Sequence, residues 1–182
     1  FVIAPSDWVA VAARRYFGDL PVHVVPHGID CDDLADGTDP GPCTTFLLPR
    51  DGKTNIGVLG AIGPVKGARM LEQLVERTRE RKLPLRWVVI GYTDLQYQPR
   101  QDSDRVLTIQ GPYSTRQLPS LINHYRIELA VFPSAGPETF SYTLSESRAM
   151  GLPALVPSIG ALGERVARDG GGWMMSDWED AD

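Results

Sequence analysis

The sequence predicts an α/β protein built on a Rossmann-like, doubly wound parallel sheet. From Asn55 onward, short apolar segments alternate with segments of helical periodicity, and this alternation is typical of a parallel sheet. The apolar segments are continuous runs, as in strands that are buried on both faces. Glycine-rich loops follow several of these runs. Because such sheets bind ligands at the carboxyl ends of their strands, we expect the functional residues in those loops.

The bulk composition excludes several classes of protein. The chain has 182 residues, of which 42% are hydrophobic, enough for one domain with a sizeable core. Its formal net charge is −5, with neither a basic excess nor a basic stripe, so we expect no nucleic-acid partner. No apolar segment is long enough for a transmembrane helix. We expect a cytoplasmic location, with the inner membrane surface as the alternative for the full-length protein.

Two cysteines, Cys31 and Cys43, lie in a stretch rich in aspartate, glycine and proline. Their small number favours a reduced pair over a disulfide. A zinc site would need more ligands than these two cysteines and His27, so we predict no metal site. The chain begins at Phe1 without an initiator methionine, which predicts that it is part of a longer protein.

The first part of the chain is predicted to contain a strand, a helix, a second strand and a linker. Residues 1–4 are a short apolar strand, and a helix-start signal follows at Ser6. Apolar residues then recur at helical spacing until Gly18 ends the helix. Residues 22–25 read as a β-branched strand. Residues 31–53 are interpreted as a linker because of their turn-forming composition.

The regular alternation that defines the fold class begins after this linker. The predicted strands are residues 56–59, 85–90, 105–109, 129–132, 153–157 and 171–175, and the predicted helices are residues 68–82, 115–125, 161–168 and one around Glu146.

A pair of carboxylates, Glu138 and Glu146, is the most informative feature of the chain. Glu138 lies in a Gly-Pro loop after a predicted strand, and Glu146 lies about two turns into the next helix. A strand, a tight loop and a helix N-terminus in this order favour a bound anion. Since carboxylates would repel a phosphate, we interpret them as ligands of hydroxyl groups on either side of it, as in a sugar nucleotide. The alternative is a plain loop acid and a solvated helix residue.

Lys66 lies in a second glycine-rich loop, residues 60–67, whose glycine spacing fits neither a P-loop nor a dinucleotide fingerprint. A cation at the start of a helix opposes the helix dipole, and a bound phosphate would relieve this conflict. The alternative is a solvent-exposed lysine that follows a turn.

Residues 138–153 resemble the signature of retaining glycosyltransferases of the GT-B fold, family four. The family's E-x7-E motif falls on Glu138 and Glu146, and its Lys-Gly pair falls on Lys66 and Gly67. Residues 25–30, 121–129 and 146–154 resemble further family segments. The resemblance implies that the chain is one half of a GT-B fold.

The resemblance also implies an activity and roles for single residues. Such enzymes move a hexosyl group from a UDP- or GDP-linked donor to an acceptor hydroxyl with retention, in polysaccharide biosynthesis. Glu138 would bind the sugar hydroxyls and Glu146 the ribose hydroxyls. Lys66 would neutralise the departing phosphate, so that no metal and no other cofactor is needed. Backbone N–H groups around Thr139, Phe140 and Ser141 would hold the diphosphate, and the loop of Gly111, Pro112 and Tyr113 would meet the base. Gly63 is expected as a further donor contact.

By this resemblance, residues 1–30 end the acceptor-side domain, residues 31–53 are the interdomain linker, and residues 54–182 are the nucleotide-sugar-binding domain, truncated at its C-terminus. The acceptor saccharide or lipid-linked glycan would bind through the missing domain. His27 is then a turn or hinge residue rather than a catalytic one, and the isolated piece is expected to be inactive.

One departure from the family pattern bears on activity. The family usually carries an arginine five residues before the lysine, where this chain has Ala61. Arg69 would replace that arginine only if its side chain turned inward. Two alternatives therefore remain open. One is a sugar-nucleotide epimerase of the same fold, which needs no acceptor. The other is a non-catalytic binding module, which Ala61 favours.

Overall fold

The structure is a computed structural model that describes residues 1–28 and 46–175. Its N-terminal part is a small unit of β1 (Val2–Ala4), α1 (Asp7–Phe17) and β2 (Val22–Val24), in which β1 and β2 pair in parallel. Ser6 caps α1 by accepting a hydrogen bond from the Val9 N–H at 3.3 Å, and Gly18 ends the helix. These are the predicted start and stop signals.

The remaining strands form one seven-stranded sheet in the order β5-β6-β4-β3-β7-β8-β9. Counted from β3, the parallel strands run 3-2-1-4-5-6, which is the Rossmann order, and this confirms the predicted fold class. The strands are β3 (Thr54–Ile62), β4 (Leu85–Thr93), β5 (Arg100–Gln101), β6 (Leu107–Ile109), β7 (Ile127–Val131), β8 (Ala154–Pro157) and β9 (Gly172–Met175).

Helices cover both faces of this sheet. They are α2 (Ala68–Glu80), α3 (Leu118–Tyr125), α4 (Tyr142–Ala149) and α5 (Gly160–Asp169). Val58 and Val89 pack with α2 on one face, whereas Leu59, Val88 and Ile90 pack with α3, α4 and α5 on the other. The strand order explains this division. The chain moves one way along the sheet after β3 and the other way after β6, and right-handed crossovers then place the helices on opposite faces.

The structure differs from the sequence prediction in detail. β3 extends further than predicted at both ends, to Thr54 and Ile62. The two-residue strand β5 was missed because it is too short to show a period; it pairs antiparallel to β6 at the sheet edge. The predicted helix 115–125 begins with a 3-10 turn before α3. Glu146 is the fifth residue of α4, so it lies just over one turn into the helix and not two.

Part of the predicted linker is held against the domain. Arg126 donates a hydrogen bond to the Leu48 carbonyl at 2.5 Å, and Arg86 forms an ion pair with Asp51. The Leu48 side chain is buried in the core. The rest of the linker prediction lies outside the described residues, as does the prediction of a reduced pair for Cys31 and Cys43.

The loops after β3 and β7 touch through backbone at the carboxyl edge of the sheet. The Ala135 N–H donates to the Val65 carbonyl at 3.1 Å. A Cβ atom on Gly67, which has φ +85°, would lie 1.8 Å from the Pro133 carbonyl oxygen. Only glycine allows both this φ and this approach. Gly67 therefore sets the separation of the two loops.

We expect Gly67→Ala to lower the free energy of unfolding by about 3 kcal/mol or more, since backbone must move to accept the new methyl group. Gly151 is a matched control because it also has a positive φ, +69°, but has no atom within 4 Å of the added Cβ. Gly151→Ala should cost only the conformational term of about 1–2 kcal/mol. Urea unfolding of both variants measures this, and equal losses would contradict the packing argument.

Candidate functional site

The candidate site lies where the strand order reverses, between β3 and β7. The loops that follow these two strands diverge to opposite faces of the sheet and leave a crevice at its carboxyl edge. Lys66, Ser134, Glu138 and Thr143 line this crevice. Lys66 and Glu138 were both predicted as site residues, and the fold brings them together from loops that are more than seventy positions apart.

Glu138 is held in place by one of these neighbours. The Ser134 hydroxyl donates a hydrogen bond to the Glu138 carboxylate at 2.8 Å. The crevice itself has a volume of only about 10 Å³, which is room for about one water molecule. A larger ligand would therefore lie across its mouth and present hydroxyl or phosphate groups to Lys66 and Glu138.

Two helix N-termini meet at this crevice. Gly67 and Ser141 are the N-cap residues of α2 and α4, and neither helix has a side-chain hydrogen bond that caps its first turn. The first N–H groups of a helix have no partner within the helix, so both termini favour an anion. Ser141 has φ +70°, which is unusual for a residue other than glycine.

The other predicted residues of this loop differ in exposure. Phe140 is buried and contacts the helix behind the loop, whereas the Thr139 side chain is exposed. The Thr139 carbonyl accepts a hydrogen bond from the Ser6 hydroxyl at 2.8 Å. Gly63 lies on the far side of the crevice, where its carbonyl accepts a hydrogen bond from the Ala68 N–H at 3.1 Å.

Glu146 projects from α4 toward the loop that follows β6. The Tyr113 hydroxyl donates a hydrogen bond to its carboxylate at 3.4 Å. Burial raises the pKa of Glu146 above its ordinary value, although hydrogen bonds from Tyr113 and Thr115 and the charge of Lys66 oppose the shift. Burial and the Glu146 carboxylate also raise the pKa of Tyr113, which therefore stays protonated as the donor.

A larger cavity of about 260 Å³ is lined by Tyr113 and Thr115, the two residues that donate hydrogen bonds to Glu146. Pro112 and Tyr113 were predicted here, and Gly111 fixes their loop by donating its N–H to the Gly91 carbonyl at 2.8 Å. The walls carry no charged side chain and consist of Gly60, Ala61, Gly91, Tyr92, Pro112, Tyr113 and Thr115. Tyr92 was not predicted, because a tyrosine at a strand end carries no signal of its own in one sequence.

Few positively charged side chains line the crevice and the cavity. Ala61 lines the larger cavity, where its methyl group offers no charge. Arg69 lies on the exposed face of α2 and lines neither the crevice nor the cavity, so it does not replace the family's arginine there. Lys66 is thus the one cation in the two linings.

A further cation lies behind the loop. Arg165 of α5 is 8% exposed and donates hydrogen bonds to the carbonyls of Phe140 and Ser141 at 2.9 and 2.8 Å. Arg165 was not predicted as a site residue, because residues 161–168 were interpreted only as a helix. An arginine within a run of core positions was the available signal.

The N-terminal unit packs against the same region. The Glu164 carboxylate accepts hydrogen bonds from the backbone N–H groups of Asp7 and Trp8, at 3.1 and 2.7 Å. The His27 ring stacks on Tyr142 with 5.3 Å between centroids and meets the Phe140 ring edge-on at 5.0 Å. His27 therefore contacts the two aromatic residues that flank Ser141.

Clusters of metal ligands and membrane-spanning helices are both absent from the described residues. No three metal-binding side chains come together in residues 1–28 and 46–175. No helix within those residues is long and apolar enough to cross a membrane.

Comparisons with known proteins agree on the fold. The chain superposes on sucrose-phosphate synthase from Thermosynechococcus elongatus with a TM-score of 0.66 and 19% identity, over 98% of this chain and 46% of that one. The Anabaena protein HepE, in complex with UDP and glucose, superposes with a TM-score of 0.64 and 16% identity, over 98% of this chain and 50% of HepE. The catalytic domain of starch synthase IV from Arabidopsis thaliana, bound to ADP and acarbose, superposes with a TM-score of 0.66 and 16% identity, over 97% of this chain and 45% of that one. The chain thus spans about half the length of these structures.

Sequence comparison identifies the family. No protein with a curated description matches the chain significantly. A family model described as glycosyl transferases group 1, however, matches residues 53–182, which is well over half of the chain. The chain belongs to the group 1 glycosyl transferases.

Proposed function

We propose that the chain is the nucleotide-sugar-binding half of a retaining glycosyltransferase. The observation that carries the proposal is the N-terminus of α4, which lacks a side-chain cap and has a carboxylate on either side, at the point where the strand order reverses. A diphosphate at the helix start, with a sugar toward Glu138 and a ribose toward Glu146, matches this arrangement of donors and acceptors.

Each polar group of such a donor has a matching partner in the site. Glu138 accepts hydrogen bonds from the sugar hydroxyls, and Glu146 accepts them from the ribose diol, which offers two donors to one buried carboxylate. The N–H groups at the start of α4 and the Lys66 ammonium bind the diphosphate. The uncharged cavity beside Tyr113 takes the base, with Pro112 and the Gly111 backbone at its edge.

The chemistry follows from where charge develops. When the bond between the sugar carbon and the phosphate oxygen breaks, its electron pair leaves with the nucleoside diphosphate. Lys66 and the N–H groups of the loop stabilise this added negative charge without a metal ion. A bond then forms from the same sugar carbon to the acceptor oxygen, whose proton passes to the departing phosphate oxygen. Neither carboxylate serves as the general base in this scheme, because both are occupied by hydroxyl groups of the donor.

The bound states of two related structures support the nucleotide assignment. HepE is described in complex with UDP and glucose, and starch synthase IV is described with ADP and acarbose. We infer a UDP- or GDP-linked hexose for this chain, with an acceptor saccharide or lipid-linked glycan in a polysaccharide pathway. The acceptor would bind to a second domain, at a cytoplasmic or inner-membrane location.

The domain assignment is part of the same proposal. Residues 1–30 would complete the acceptor-side domain, residues 31–53 would be the linker, and residues 54–182 the nucleotide-sugar-binding domain. The separate two-stranded sheet of β1 and β2 supports a boundary after the N-terminal unit. We expect the 182-residue chain alone to bind nucleotide weakly and to transfer no sugar.

Calorimetry with UDP, GDP and ADP tests the site assignment. We expect Lys66→Ala and Glu146→Ala each to weaken binding on the order of tenfold to a hundredfold, as for a lost hydrogen bond to a charged group. The exposed residues Lys82 and Glu72 provide matched controls, since Lys82→Ala and Glu72→Ala remove the same charges away from the site.

The two site variants should also differ in which part of the nucleotide they no longer recognise, the phosphates or the ribose hydroxyls. Lys66→Ala should weaken UDP but leave uridine unchanged, whereas Glu146→Ala should abolish the preference for UDP over 2′,3′-dideoxy-UDP. Absence of binding by the parent chain, or unchanged binding in both variants, would refute the assignment.

Nucleotide affinity should depend on pH through Glu146. The ribose diol donates to the ionised carboxylate, so protonation of Glu146 weakens binding. Because burial raises the pKa of Glu146 above its ordinary 4.5, this loss begins at a higher pH than for a free glutamate. We expect UDP affinity to fall as pH is lowered from about 7.5 to about 5.

Glu146→Gln separates this effect from protonation of the nucleotide. The terminal phosphate of UDP titrates at about pH 6, and this contribution is the same for the parent chain and the variant. The variant should show only the nucleotide's share of the pH dependence. An equally steep profile in the variant would contradict the prediction.

A non-catalytic binding module is the second candidate, and Ala61 is the observation that favours it. Turnover by the full-length protein separates the candidates. A transferase consumes donor only with an acceptor, apart from slow hydrolysis, and its product keeps the anomeric configuration. An epimerase would change the donor sugar without acceptor. A module that binds nucleotide but shows neither reaction would replace our proposal.

A further inference from the structure

Arg165 occupies an unusual position behind the loop that starts α4. Besides its bonds to the Phe140 and Ser141 carbonyls, it donates to the Ser145 hydroxyl at 2.7 Å. Its guanidinium carbon lies 4.3 Å from the centre of the Phe140 ring. These contacts engage the planar fork of the side chain from several directions, so the guanidinium is fixed in position.

The two carbonyl contacts determine where the loop's N–H groups point. In a trans peptide the carbonyl of one residue and the N–H of the next point in opposite directions, and the described residues contain no cis peptide. Because Arg165 draws the Phe140 and Ser141 carbonyls toward α5, the N–H groups of Ser141 and Tyr142 point the other way. That side is the proposed diphosphate site.

The charge of Arg165 has no carboxylate partner in the described part of the chain. The nearby carboxylates are engaged elsewhere: Asp169 pairs with Arg148 and Arg168, and Glu164 accepts from the N-terminus of α1. A buried guanidinium without a counter-ion is unfavourable. It also lies at the N-terminal end of α4, where a cation opposes the helix dipole. An anion at the loop would offset both effects.

We propose that Arg165 is a positioning residue that orients the Ser141 and Tyr142 N–H groups toward the donor diphosphate and supplies the site's second positive charge from behind the loop. This inference rests on the proposed function, and it assigns to α5 the cationic contribution that Ala61 does not make.

A purely structural role is the competing explanation. A structural arginine would stabilise the loop for every part of the ligand alike, whereas Arg165 as proposed acts on the phosphates alone. The affinity for a nucleoside diphosphate relative to its nucleoside separates the two roles. Arg148 is a matched control, since it also donates to backbone carbonyls, at Arg165 and Gly170, but from the last turn of α4.

The test compares UDP with uridine in the parent, Arg165→Met, Arg165→Lys and Arg148→Met, by calorimetry, with GDP and ADP against their nucleosides as repeats. We expect Arg165→Met to weaken UDP on the order of tenfold or more and uridine less than about twofold. Arg165→Lys retains the charge without the fork and should recover part of the UDP affinity. Arg148→Met should change neither.

Amide NMR of the parent chain gives a second measurement that does not depend on the folding of any variant. Addition of UDP, but not of uridine, should shift the Ser141 and Tyr142 amide signals. Any of three results would overturn the inference. Arg165→Met could lose affinity for UDP and for uridine equally, or it could bind UDP as tightly as the parent chain. The third result is that saturating UDP does not shift the Ser141 and Tyr142 amide signals. Failure of the parent to bind any nucleotide would instead refute the proposed function, and the inference with it.

Discussion

The reversal of strand order between β3 and β7 is the constraint on which the rest of the molecule depends. At this point two neighbouring parallel strands send their loops to opposite faces of the sheet, and the crevice lined by Lys66 and Glu138 opens between those loops at the carboxyl edge. The contact of Gly67 with the Pro133 carbonyl then fixes how far the two loops separate. Lys66 and Glu138 owe their proximity to that contact.

The electrostatics of the site rest mainly on backbone. Two helix N-termini meet at the crevice, and one ammonium group, that of Lys66, lines it. A dipole terminus is equivalent to about half a charge, so the two termini and Lys66 together offer about two positive charges. This matches the diphosphate of a bound donor, whereas the departing nucleoside diphosphate gains a further negative charge that another cation nearby would offset. Arg165 of α5 is a buried cation that donates to carbonyls of this loop. It acts through peptide groups and does not enter the crevice, so the space for a ligand is unaffected.

The sequence was sufficient for the features that depend on local pattern. Continuous apolar runs predicted the parallel sheet, Ser6 and Gly18 marked the ends of α1, and the spacing of Glu138 and Glu146 predicted a strand, a loop and a helix. Features that depend on contacts between distant segments were not predictable. Arg165 reads as one more charged residue on a helix until α5 is seen to lie behind residues 140–145. Likewise, nothing adjacent to Glu164 indicates that it caps a helix more than 150 positions earlier. The two-residue strand β5 is too short to carry any periodic signal.

Four unfavourable local features of the chain lie together at this site. Ser141 adopts a positive φ, α4 starts without a side-chain cap, and burial raises the pKa of the Glu146 carboxylate. Arg165 is a buried cation that forms no ion pair with a carboxylate among the described residues. Each of these features lowers stability when the protein is considered alone. By contrast, α1 carries both a side-chain cap and a carboxylate at its N-terminus. A ligand with a diphosphate flanked by hydroxyl groups would complement the uncapped helix, the half-buried carboxylate and the buried cation together.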